Sequence, residues 1–335
     1  MRRTQREPAD RGEVGAMGAS AGTGAGRGAA AGVLVAAALW GLSGTVAQYL
    51  MQRAGLPLPW LATARMAGAG VVLIGLAAVR GGVGSLLGPW RRREDALRLV
   101  AFAVLGLFLV QYSYLAAILA ANAAAATVIQ YSGSGLVVLW ASVTARRLPG
   151  GRQLGALAAT LVGIGLLATN GQPDRLALPA AAIAWGLVSA VTLALYTLLP
   201  RPLLHRHDTL VVVGWGMLLG AVAALLVLHP APAPLALARA KDLALVLLVI
   251  VFGTVVPFSL YVNSLRRLPA GESALLANSE PVAAAVAAYL WLHVRLGPWA
   301  LAGALVVLTA TTALYLGGRA GATTPPEPEA TPGTP

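Results

Sequence analysis

Apolar runs close to the length of a membrane helix follow one another along this chain from about residue 30 to residue 317, and the short segments between them carry most of its charge. About 20 residues in helical form span a hydrocarbon core about 30 Å thick. No water inside that core pairs with peptide groups, so a spanning segment must satisfy its backbone internally, as a helix or within a closed barrel. The alternating pattern of barrel strands is absent. The runs read as spans at 30–50, 58–79, 99–119, 123–144, 153–170, 178–199, 209–229, 243–264, 271–292 and 298–317. Composition agrees: with 58% hydrophobic and 11% charged residues, a chain of 335 has too few polar side chains to cover a water-exposed surface. The expected fold class is an all-α integral membrane protein with ten transmembrane helices.

The net charge of +12 would suggest nucleic acid if it lay on one face of a soluble domain. Here it is spread between the apolar runs, which points to topology instead, and no nucleic-acid partner is expected. With the N-terminus inside, 12 arginines fall in inner loops: Arg80, Arg91, Arg92, Arg93, Arg98, Arg146, Arg147, Arg152, Arg201, Arg206, Arg266 and Arg267. Only 5 basic residues fall in outer loops, Arg53, Arg175, Arg239, Lys241 and Arg295. Cytoplasmic loops are the ones enriched in Lys and Arg, so the expectation is a multi-pass protein of the cytoplasmic membrane with both termini inside. The absence of cysteine rules out disulfides, iron–sulfur clusters and thiolate metal sites.

Within the apolar pattern lies an internal echo. Trp40-Gly41 returns as Trp185-Gly186, and Leu154-Gly155-Ala156-Leu157 has a counterpart in Ala302-Gly303-Ala304-Leu305. A unit with an odd number of spans begins its second copy from the opposite side of the bilayer. Two such inverted five-helix repeats build many secondary transporters, with the substrate site near the midplane between them. The expected organisation is a disordered tail at 1–28, a first repeat at 29–172, a second at 176–319 and a disordered tail at 320–335. Gly68, Gly70, Gly163, Gly165, Gly214 and Gly216 lie inside the spans, where small residues let helix backbones approach.

The order of several landmarks resembles the EamA-type members of the drug/metabolite transporter superfamily over nearly all of residues 30–318. They are Leu39-Trp40-Gly41, Arg65, Ala184-Trp185-Gly186 with Tyr196, Gly253-Thr254-Val255-Val256-Pro257-Phe258 and Ser279-Glu280-Pro281. The chain departs from that family where its first repeat has Ser132-Gly133-Ser134 in place of a fourth-span proline. It departs again at Arg146-Arg147 and His293-Val294, where glutamates are usual. The resemblance implies a secondary carrier working by alternating access, more often an exporter than an importer, and coupled to protons.

Two ionisable side chains lie well inside the spans, Arg65 and Glu280. A charge at the bilayer centre costs about 2.5–3.5 kcal/mol on insertion scales, so such residues face a cavity or a partner. Pro281 removes a backbone donor beside Glu280, and a carboxylate next to a freed carbonyl suits a proton or cation; Pro257 marks a second expected helix break. Pairing with a polar neighbour for packing is the competing reading of Glu280. Arg65 suits an anionic substrate group through its planar fork, or else snorkels to the nearby interface. Trp40, Trp185, Gln130, Tyr131 and Asn278 complete the expected substrate and proton pathway, with Gln111, Tyr112, Tyr114, Ser132, Asn263 and Ser279 as further polar side chains in the same spans. A largely apolar cavity with a few amides, hydroxyls and aromatic faces fits a small polar or amphipathic solute.

Enzymatic signatures are weak. Gly18-Ala19-Ser20-Ala21-Gly22 has the spacing of a nucleophile elbow, but it lies in low-complexity sequence with no strand before it. His205 and His207 flank Arg206 without a completing carboxylate or cysteine cluster, and the single lysine, Lys241, follows no phosphate-binding loop. Neither an enzyme, a cofactor nor a metal is expected. The reading is a secondary active transporter, an exporter of a small metabolite, amino acid or amphipathic compound, with membrane lipid around it, protons as coupling ion, and a homodimer compatible with it. An uncoupled facilitator is the alternative, and a membrane-embedded lipid-handling protein or enzyme the more distant one.

Overall fold

The computed structural model describes residues 12–133, 136, 151–172, 177–232, 239–265, 276–277 and 279–322. Asn278, Arg146, Arg147, Arg175, Arg266, Arg267 and the second half of the 123–144 span lie outside the described residues, as does the start of the 271–292 span. Everything described is helix, turn or irregular connection, with no strand among the described residues. The principal helices are α1 (Gly12–Gln52), α2 (Leu58–Gly81), α3 (Arg93–Ala120), α4 (Ala123–Tyr131), α5 (Gly151–Thr169), α6 (Ala180–Leu198) and α7 (Thr209–Leu228). α8 runs without a gap through Ala240–Ile250, Val251–Val255 and Val256–Leu265, and is followed by α9 (Glu280–Leu292) and α10 (Pro298–Ala322).

Among the described residues 6 helices are long and apolar enough to cross a membrane: Arg27–Gln52, Leu58–Gly81, Arg93–Ala120, Ala180–Leu204, Thr209–Leu228 and Ala240–Tyr261. Leu154–Thr169, Glu280–Leu292 and Pro298–Ala310 are shorter apolar stretches. Large apolar side chains such as Val79, Leu226 and Leu290 stand exposed on the outside, where lipid tails solvate them as well as a core would.

The two halves interlock rather than sit side by side. α2 packs on α7 and α5 on α10, while α1 packs on α8 and α9 just as α6 packs on α3 and α4. Exchanging the halves leaves this pattern of neighbours unchanged. Since lipid offers no hydrophobic push between helices, close backbone approach has to supply the packing. A Cβ on Gly70 would lie 2.8 Å from Leu218, and one on Gly214 would lie 3.0 Å from Ile74, so each helix presents a glycine to the residue one turn further along its partner. At the α5–α10 crossing a Cβ on Gly163 would meet the Gly303 carbonyl at 2.7 Å, and one on Gly303 would meet the Gly163 carbonyl.

The third helix of each half carries the same irregularity. Phe102–Phe108 in α3 and Val251–Val255 in α8 are wound as π-helix, which inserts extra backbone and often marks a functional stretch. Asp95, Gly106 and Tyr114 of α3 recur with the same spacing as Asp242, Gly253 and Tyr261 of α8. The α3 segment lies against α6 and α7, and the α8 segment against α1 and α2. Both irregular segments therefore face the other half.

Candidate functional site

The π-wound part of α8 decides how Arg65 is held. Pro257 has no N–H to give the carbonyl four residues earlier, that of Gly253. Arg65, reaching across from α2, donates to that carbonyl through Nη2 at 3.2 Å and to Thr254 Oγ1 through Nε at 3.0 Å. Its side chain is buried at 6% exposure, so it does not snorkel. A second proline repeats the device at α9. Pro281 sits in the first helical turn, where its missing N–H costs nothing to the helix, and the carbonyl four residues earlier belongs to Ala277. The Tyr131 hydroxyl, coming from α4, lies 3.0 Å from that carbonyl and 2.9 Å from Glu280 Oε2. Each proline leaves a carbonyl for a side chain from the other half of the bundle.

These groups line one cavity of about 220 Å³, below the usual range for drug-sized ligands. Trp40, Arg65, Gln111, Gln130, Tyr131 and Glu280 all face it. Trp40 meets Phe258 edge-on with ring centroids 5.6 Å apart and lies 5.6 Å from Tyr261, and Tyr196 closes the same wall against Phe258 at 6.1 Å. Gln130 donates to Ser189 Oγ at 2.7 Å, and the Tyr114 hydroxyl pairs with Thr127 at 2.8 Å. Arg65 and Glu280 carry opposite charges into this space, yet no ion pair joins them among the described residues. Charges taken out of water are costly unless hydrogen-bonded, and here Gly253 and Thr254 hold Arg65 while Tyr131 holds Glu280.

Not every expected position faces the cavity. Trp185, the counterpart of Trp40, is off the cavity wall, with its ring edge-on to Tyr112 at 5.5 Å and 36% of its surface exposed. Asn278 lies outside the described residues, as does the side chain of Asn263. Thr254, Tyr196 and Phe258 stood in the sequence as landmarks of the resemblance without a role in the site, and Tyr261 was not singled out. Their signal was present in Pro257: a proline within a span announces a bare carbonyl four residues back, and a buried arginine is a fitting donor for it.

A further polar cluster lies at the start of α3, well away from the cavity. Asp95 is fully buried and accepts from Arg206 Nη1 and pairs with His207 Nε2, both at 3.1 Å. Its counterpart Asp242 has Arg239 at 4.0 Å, while its Oδ1 has no partner among the described residues. No group of three or more His, Asp or Glu side chains suited to a metal occurs among the described residues.

A membrane-embedded helical bundle whose interlocked halves enclose a cavity with buried charges is the build of a transporter. The family model described as the EamA-like transporter family matches residues 27–169 and 180–316, and the chain belongs to that family. It is 34% identical over 289 residues to the uncharacterized inner membrane transporter YicL of Salmonella typhimurium (strain LT2), covering 86% of this chain and 95% of that protein. A crystal structure with 19% sequence identity superposes with a TM-score of 0.55, covering 85% of this chain and 98% of that chain, which shows a shared fold. The protein is a multi-pass membrane transporter.

Proposed function

We propose that this protein is a proton-coupled secondary exporter of a small zwitterionic metabolite, such as an amino acid with an apolar side chain, working by alternating access. The observation that carries the proposal is the pair of buried, opposite, mutually unpaired charges, Arg65 and Glu280, facing one aromatic-walled cavity. A carboxylate would take the guanidinium, an ammonium would take Glu280, and the apolar part would lie among Trp40, Phe258 and Tyr261. The scaffold is two inverted units at 29–172 and 176–319, ten spans in all, with both termini cytoplasmic, in line with the exchangeable packing of the halves and with the arginine bias of the loops.

Proton coupling is assigned to Glu280. The Tyr131 hydroxyl has one proton and lies within reach of two acceptors. With Glu280 ionised, that proton serves the carboxylate. With Glu280 protonated, the acid donates to Tyr131, which then serves the Ala277 carbonyl. Protonation would thus change what holds the start of α9.

Two measurements test the reading. Thermal stabilisation of the purified protein by L-phenylalanine should exceed that by 2-phenylethylamine or 3-phenylpropanoate, which lack one charge each; equal shifts by all three would sink the zwitterion. Glu280→Gln in proteoliposomes should abolish uptake driven by a pH gradient. Unchanged uphill transport would remove Glu280 from the coupling step, and insensitivity of the parent protein to the gradient would leave an uncoupled facilitator.

A further inference from the structure

The transport reading leaves open which end of the cavity is shut in this conformation and what shuts it. Two glutamines on α1 bear on that. Gln52 Nε2 lies 3.0 Å from the Ile118 carbonyl, 3.1 Å from that of Leu119 and 3.0 Å from that of Ala121, in and just after the last turn of α3. One turn earlier, Gln48 donates through Nε2 to Gln52 Oε1 at 3.0 Å and accepts through Oε1 from Ala123 N at 2.9 Å, a free amide at the start of α4. The corner between α3 and α4 thus offers polar backbone groups of both helix ends, and a pair of side-chain amides from α1 hydrogen-bonds to them. Beneath this corner the contact stays tight. The Tyr114 hydroxyl, bonded to Thr127, lies 2.6 Å from where a Cβ on Gly44 of α1 would be. Gln48 is 4% exposed, and Val46, Leu50, Leu115, Ile118 and Ala123 belong to one buried apolar cluster at this corner.

The same step on α6 is built differently. Counting from Trp40 and Trp185, the residues in the places of Gln48 and Gln52 are Leu193 and Thr197. Both line the cavity, and Thr197 spends its hydroxyl on the Leu193 carbonyl of its own helix at 2.8 Å. Among the described residues α1 thus gives two side-chain amides to the α3–α4 corner, whereas the matching residues of α6 face the cavity.

We propose that Gln48 and Gln52 form a clamp that keeps the cavity closed at the α3–α4 corner, and that its release from α1 is the step that opens that end. The proposal rests on the transport reading, in whose topology the clamped end is the outer one and the Leu193–Thr197 end the cytoplasmic mouth. Backbone groups of a helix end are good partners for such a device, because they demand hydrogen bonds in any state. An amide that leaves them must be replaced by water, which only an opened corner admits.

The chain has no cysteine, so a single Val110→Cys in the cavity wall is the only thiol in the protein. A membrane-impermeant maleimide applied to intact cells and to inverted vesicles reads which side reaches it. The expected pattern is labelling from the inner face and protection from the outer face. Placing the α6 residues on α1, Gln48→Leu with Gln52→Thr, should raise outer labelling about tenfold, the ratio that 1.4 kcal/mol gives between two conformers. Hydrogen exchange provides the second measurement, with amides of 118–127 losing protection while those of α2 and α7 keep theirs, which also shows that the variant is folded. Unchanged outer labelling, with or without faster exchange at the corner, overturns the clamp. Outer labelling of the parent in preference to inner labelling overturns it as well. Neither result touches the Glu280 assignment, which is decided by uphill transport.

Discussion

α3 and α8 share a plan and differ in what they do with it. Both begin at a buried aspartate, both pass through a π-wound segment containing a glycine, and both reach a tyrosine at the same spacing. Beyond the glycine the two part: α8 has Thr254 and Pro257, where α3 has Leu107 and Val110. Those two changes turn a packing helix into a mount for Arg65. In α3 the corresponding carbonyl, that of Gly106, accepts from the backbone N–H of Leu109 in its own helix, and no side chain donates to it among the described residues. The lesson is that two segments matching one family model share a plan, while the proline and the hydroxyl that mount Arg65 stand in only one of them.

The sharpest way to break this comparison is to give α3 the proline of α8. Val110→Pro should destabilise the protein by about 3 kcal/mol or more, because the ring crowds the preceding turn and no side chain from the other half is placed to support the break, as Arg65 does in α8. Thermal unfolding in detergent measures this, and a loss below 1 kcal/mol would mean that α3 tolerates the break unaided. Next in size, Arg65→Ala should cost about 1–3 kcal/mol by stranding the Gly253 carbonyl and the Thr254 hydroxyl. Arg65→Lys should recover little, since an ammonium lacks the fork that spans the two acceptors. Thr209, which occupies the matching step of α7, should give within about 0.5 kcal/mol when changed to Ala. The smallest contrast concerns the two aspartates. Asp95→Asn should cost about 1 kcal/mol, with Arg206 half in solvent limiting the loss, and Asp242→Asn should be near neutral. Equal losses at both positions would show that the partners seen around Asp95 contribute nothing.

Much of this was readable in advance from particular residues. The apolar runs required membrane helices, and the Trp-Gly echo marked two halves whose packing turns out to be exchangeable. Arg65 and Glu280 stood out because charges are rare in such runs, and both face the one cavity described. Trp185 was the misleading symbol: the echo put it on a par with Trp40, but its ring meets Tyr112 and stands 36% exposed instead of lining the cavity. The supports were not legible. That Gln48 and Gln52 serve α3 and α4, or that Asp95 meets Arg206 and His207, depends on contacts between residues 66 to 112 positions apart, for which a single sequence has no local signal.

One acceptor of Arg65 and one of Tyr131 is a peptide carbonyl, left by Pro257 and Pro281. A mount of that kind has an unusual inheritance. Side chains around the cavity can drift, and a relative can come to carry a different solute, while the anchoring oxygens persist in every sequence that keeps the two prolines. The part of this transporter least visible in its side chains is therefore the part best protected from their exchange.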